Sequence, residues 1–199
     1  MTIAEGRLSV MTPANWVPGP KQGEWTYEEY AAIPEDGHRY EVVNGVLYMA
    51  PSPTWDHQRS AFKISVCLNV CIEEAGRGKV CIAPMDVELS DKNVVQPDVL
   101  VVLNERLDWI TNSRVIGAPD LVVEVVSPST ARHDLSEKLS TYARAGVPGY
   151  WIVTPSSKTL ELLVLDKGSY SSLGLFFGDA VLPSQIVPDI STKVEQFFI

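Results

Sequence analysis

The sequence predicts an α/β or α+β fold, with a sheet core flanked by two or three helices. Short alternating or continuous apolar runs read as strands, capped amphipathic stretches fall between them, and Gly, Pro and Asn punctuate the joins. With 199 residues, 45% of them hydrophobic and 21% charged, the chain is long enough for one sizeable core. We expect an irregular N-terminal arm over 1–24, rich in Pro and Gly, and a single domain over 25–199.

The elements follow in order. Thr26 and Glu29 form a capping-box pattern, with Trp25 and Tyr30 as a hydrophobic staple, so a short helix is predicted over Tyr27–Ala32. Arg39–Val43 and Val46–Met49 flank Asn44-Gly45, a pair suited to a tight hairpin turn. Asp56 is the predicted cap of a long helix whose apolar positions Ala61, Ile64, Leu68, Cys71 and Ala75 share one face, and Gly76 and Gly78 stop it.

Lys79–Leu89 reads as a strand with Pro84 at a bulge or edge, and Val94–Leu103 as the next. The stretch 104–119 is mixed and polar, a loop with some helix. Leu121–Val126 is apolar on both faces except at Glu124, which suits a strand covered on both sides. Ser127–Thr130 breaks it. A helix over His133–Gly146 follows, capped by Asp134 and Glu137, with Leu135, Leu139 and Tyr142 on its packed face. Strands at Tyr150–Val153, Thr159–Leu165 and beyond Ser169 lead to a terminal helix at Thr192–Phe198, capped by Thr192 and Glu195.

The net charge of -9 argues against a general basic surface for nucleic acid, so any such contact must be local. No apolar run reaches the ~20 residues of a membrane span, and no secretory signal opens the chain, so it reads as a soluble cytoplasmic protein without a membrane partner. Cys67, Cys71 and Cys81 suggest neither a disulfide framework nor a zinc cluster.

Two apolar runs each carry one acid, Asp98 in Gln96–Val102 and Glu124 in Asp120–Val126. If the two strands are neighbours in register, the acids meet, and a divalent cation such as magnesium would neutralise both. Lys138 borders the packed face of the following helix, from which its ammonium reaches toward them. The three together suit phosphodiester hydrolysis. Each also has a plainer reading. Asp98 serves equally as a polar strand start behind Pro97, and Lys138 as a solvated partner of Asp134, whereas Glu124 inside an apolar run calls for a charged partner or a metal. Asp120 follows Pro119 but lies ~13 Å along the strand from Glu124, so it reads as a strand-start residue.

Several motifs then resemble a known family. Tyr40–Gly45, Pro51-Ser52-Pro53 with His57-Gln58, Gln96-Pro97-Asp98, Val123–Thr130 and Lys138–Trp151 closely resemble the Uma-type family of restriction-endonuclease-like proteins, a branch of the PD-(D/E)XK nuclease superfamily. The resemblance implies a restriction-endonuclease-like core, a central mixed sheet flanked by helices, with Mg2+ or Mn2+ as cofactor and DNA as partner. It matches Asp98 and Glu124 to the metal-binding acids and Glu41 to an upstream acid. The superfamily lysine would stand at Val126, and the family's position maps instead to Lys138. Asn44, Gly149 and Thr154 depart from the family pattern away from the acids.

The reading is therefore a magnesium-dependent endonuclease on DNA, with catalytic candidates Asp98, Glu124, Lys138 and Glu41, metal ligands Asp98 and Glu124, and substrate-binding candidates His57, Arg59 and Arg132. The alternatives are a catalytically inactive nuclease-fold protein that binds or regulates, and an enzyme acting on a small phosphate ester. A homodimer is a candidate assembly, with Gln196–Ile199 either at its interface or closing the core.

Overall fold

Backbone pairing begins inside the segment read as an irregular arm. The computed structural model describes residues 11–126, 131–183, 186–188 and 190–199, with backbone alone over 131–135. Strand β1 (Thr12–Pro13) adds to the edge of a hairpin, and Ala14 is buried beside Trp25. Helix α1 (Tyr27–Ala31) is capped as its sequence predicts, with Glu29 accepting from both the amide and the hydroxyl of Thr26. The hairpin of β2 (Arg39–Val43) and β3 (Val46–Ala50) turns through Asn44 and Gly45, both at positive φ.

Helix α2 (Trp55–Leu68) starts earlier than expected. Its cap is Thr54, whose Oγ1 accepts from the His57 amide at 3.3 Å, and Asp56 sits in the first turn, where a negative charge suits the helix dipole. The helix runs on as a π turn over Asn69–Glu73.

Two predicted strands are each cut in half by a proline. Lys79–Leu89 becomes β4 (Gly78–Ile82) and β5 (Asp86–Ser90), parted around Pro84. Val94–Leu103 becomes β6 (Asn93–Val95) and β7 (Val99–Leu103), parted at Gln96-Pro97-Asp98. Proline has no N–H to give a ladder, and at both breaks the chain changes sheets. Within 104–119 the helical part is a 3-10 turn over Asn104–Trp109, and an unexpected strand β8 (Arg114–Ile116) pairs parallel with β5.

Strand β9 (Leu121–Val125) precedes helix α3 (Ala131–Ala145), which begins ahead of the predicted His133. Asp134, the expected cap, and the Ser127–Thr130 break lie outside the described side chains and residues. Strands β10 (Gly149–Thr154), β11 (Thr159–Asp166) and β12 (Ser169–Phe177) follow. At the C-terminus the Thr192–Glu195 cap is replaced. Gln196 accepts from the Lys193 amide at 3.0 Å, and Thr192 accepts from the Cys67 thiol.

The fold is α+β with two mixed sheets. The first has the order β1-β3-β2-β6-β5-β8 and the second β12-β11-β10-β9-β7-β4. The second is the central sheet. One face packs Val99, Val101, Leu121, Val123 and Trp151 against Ile64 and Leu68 of α2 and Phe197 of the terminal turn, so the C-terminal run closes the core. Its other face packs Leu100, Val102, Val122 and Tyr150 against Tyr142 of α3 and against Val43, Val87 and Val95 of the first sheet. Among the described residues no helix is long and apolar enough to cross a membrane.

Candidate functional site

Strand register decides which acids meet. Strands β7 and β9 are antiparallel with Val99 opposite Val123 and Leu100 opposite Val122, so one step further sets Asp98 opposite Glu124. Both project from the face that also carries Leu100 and Val122, toward the first sheet. From that first sheet β2 sends Glu41 inward beside Val43, and from α3 Lys138 enters one turn before Tyr142. Glu41, Asp98, Glu124 and Lys138 are all buried.

Lys138 Nζ lies 2.8 Å from Glu41 Oε2 and 3.0 Å from Glu124 Oε1, bridging the two sheets. Its other sequence reading, a solvated lysine, does not hold, because the ammonium is buried between these acids, while the Asp134 side chain proposed as its partner lies outside those described. Glu41 Oε1 also accepts from the Gln96 amide at 2.7 Å, at the crossing between sheets. Tyr142 donates its hydroxyl to Glu124 Oε1 at 2.7 Å, and Asp98 Oδ2 accepts from the Val125 amide at 2.7 Å. His57 Nε2 stands 3.2 Å from the same Asp98 oxygen, while its Nδ1 is buried without a hydrogen-bond partner among the described residues.

Burial pushes the Glu124 carboxyl up and Lys138 draws it down, while Asp98 and Glu41 push it up again, leaving it near 7 against an ordinary 4.5. Burial opposes the Lys138 charge, but Glu124 and Glu41 outweigh it and hold the ammonium charged well above its usual range. Burial and then the Glu124 charge raise the Tyr142 and Tyr150 hydroxyls far beyond normal, so both stay protonated.

The remaining sequence candidates part company. Arg59 turns its guanidinium over the Phe62 ring, 5.8 Å from the centroid, on the outer side of α2 rather than toward the acids. The Arg132 side chain lies outside those described. Asp120 does structural work, accepting from the Leu103 amide at 2.8 Å and pairing with Arg106. Tyr142 and Gln96 contact the site although only the neighbouring Lys138 and Asp98 stood out in sequence. Tyr142 gave a faint signal, four residues after Lys138 and hence on the same helix face.

The cluster's chemistry favours a cation. Three carboxyl groups gather round one ammonium, which bonds Glu41 and Glu124, so once Glu124 is ionised the cluster carries an excess of negative charge that a divalent ion balances. Among the described residues every partner of Asp98 falls on Oδ2 and every partner of Glu124 on Oε1. On each acid the second oxygen has no partner among the described residues, and two such carboxylate oxygens are hard donors of the kind a divalent cation takes. No group of three or more His, Cys, Asp or Glu side chains among the described residues forms a ready ligand set.

Comparison with known proteins agrees with the fold. A crystal structure described as a "putative nuclease" from Anabaena variabilis matches with a TM-score of 0.73 at 18% identity, covering 87% of this chain and 97% of that one. No curated protein matches the chain. The model of the Uma2 family, described as "Putative restriction endonuclease", matches residues 27–195, which is most of the chain. With its α+β core, its two acids facing across β7 and β9 and that match, the chain belongs to the Uma2 family of restriction-endonuclease-like proteins.

Proposed function

We propose that the protein is a magnesium-dependent endonuclease that hydrolyses phosphodiester bonds of DNA, Mn2+ being able to replace Mg2+. The observation that carries this is the facing pair Asp98 and Glu124, each with one oxygen bonded and the other without a partner among the described residues. Through those second oxygens they would hold the ion, which when bound supplies charge neutralisation at the phosphate and a more acidic water. The amide of Val125 and the hydroxyl of Tyr142 fix the two acids so that little reorganisation is needed.

Lys138 would place positive charge beside the phosphoryl oxygens as negative charge develops there. Glu41 would anchor that lysine, holding it at the junction of the sheets. His57 would orient Asp98 through Oδ2 and stand at the rim as a substrate contact.

A second reading has its own support. Lys138 already fills the gap between Glu41 and Glu124 and neutralises part of the cluster without any metal, as a binding or regulatory protein that keeps the nuclease fold would require. Purified chain incubated with supercoiled plasmid and Mg2+ or Mn2+, beside a Glu124→Ala control, separates the two. Nicking by the wild type alone supports the nuclease. Absence of nicking with both ions, or equal nicking by the control, overturns it.

A further inference from the structure

The segment Gln96-Pro97-Asp98 carries the amide that holds Glu41 and, two residues on, the acid that faces Glu124. It lies between β6 and β7, where no ladder fixes it. The Gln96 carboxamide takes that part. Its Oε1 accepts from Arg39 Nε of β2 at 3.1 Å, and its Nε2 donates to Asp86 Oδ1 of β5 at 2.8 Å and to the Tyr30 hydroxyl of α1 at 3.2 Å. Tyr30 closes the triangle by donating to the same Asp86 oxygen at 2.8 Å. Burial and then the Asp86 charge push the Tyr30 hydroxyl above its ordinary range, so it keeps the proton it shares.

Asp86 stands at the start of β5, just past the other place where the chain changes sheets. There the Ala83 amide donates to the main-chain carbonyl of Asp98 at 3.1 Å. The two crossings are thus fastened to each other by the side chain of Gln96 at one end and the main chain of Asp98 at the other. Pro97 fixes φ between them, so a shift at Gln96 is carried to Asp98. The place calls for a carboxamide. Arg39 offers donors alone and the Asp86 carboxylate acceptors alone, and an amide meets the first with its oxygen and the second with its NH2. A carboxylate of the same length would keep Arg39 and confront Asp86 with like charge.

We infer that Gln96 is a positioning residue: its carboxamide, gripped from α1, β2 and β5, keeps its own amide on Glu41 and, through Pro97, holds Asp98 opposite Glu124. It acts through those acids and not on the ion itself. Its effect on metal affinity rests on the reading of Asp98 and Glu124 as ligands given above; its effect on the placement of Asp98 does not.

Gln96→Glu in the full chain tests it with two readouts. Hydrogen exchange at the Val125 amide, which donates to Asp98, is expected to quicken at least ~10-fold while the amides of β11 and β12 stay as they were. The Mg2+ dissociation constant, by calorimetric titration, is expected to rise at least ~10-fold. Adding Asp86→Asn turns an NH2 toward the new carboxylate and is expected to return both toward their wild-type values. Should Gln96→Glu not fold, Tyr30→Phe, which removes one partner of the carboxamide and no charge, decides by the same readouts, with changes on the order of 3-fold. A variant whose Val125 amide exchanges as in the wild type, or which binds Mg2+ as tightly as a wild type that binds it, overturns the proposal even where urea shows it less stable. So does a loss that Asp86→Asn does not repair. A wild type that takes up no Mg2+, with Val125 exchange in the variant quickening as expected, overturns the metal reading alone and supports the placement of Asp98 by Gln96.

Discussion

Replacing Glu124 by glutamine is expected to remove a fall in stability that the wild-type chain shows as pH rises from about 4.5 through 7. The Glu124 carboxyl is held near 7 in the fold, against 4.5 as its ordinary value. Between those values the folded chain keeps a proton that the unfolded chain has released, so unfolding is favoured progressively as pH rises. The contribution is fully present below the unfolded value and gone above the folded one. The difference of about 2.5 pH units, at about 1.4 kcal/mol each, gives roughly 3 kcal/mol. Urea denaturation of both chains across this window measures it, and the difference between the two curves cancels titrations they share. Saturating Mg2+ is expected to flatten the wild-type curve, because an ion on Glu124 favours its charged form. Parallel curves for wild type and Glu124→Gln would refute the reasoning.

Lys138→Met leaves Glu41 and Glu124 buried without their shared counter-charge and is expected to cost on the order of 3–5 kcal/mol, read by the same denaturation. Asp98→Asn keeps an oxygen for the Val125 amide, so the fold should survive while calorimetric titration shows Mg2+ affinity reduced at least ~10-fold. Asp120→Ala strips the Leu103 amide and Arg106 of their partner, lowering stability by about 1–3 kcal/mol with Mg2+ binding unchanged.

Glu124 was the most legible member of the site because an acid inside Leu121–Val126 has no local explanation. Asp98 was visible as a candidate, but its meeting with Glu124 depends on the β7–β9 register, which no local pattern encodes. Glu41 came only from the family resemblance, since its strand belongs to the other sheet. Lys138 had two compatible local readings, and only tertiary packing chose the buried one. The fold class was readable from periodicity. The division into two sheets was not, because Pro84 and Pro97 mark breaks without saying that the chain crosses there. Strand β8 was missed because three residues are too few to show a period. The α2 cap was misplaced because Thr54 and Asp56 are both good caps.

The bridge from Glu41 through Lys138 to Glu124 ties the two sheets together at one point. Separating them exposes three charges and the Gln96 amide at once, so they are held as one cooperative unit. Slow hydrogen exchange at Gln96, with its amide on Glu41, would then mark the docking of one sheet on the other. The same side chains that gather the site would thereby set how rarely the molecule opens.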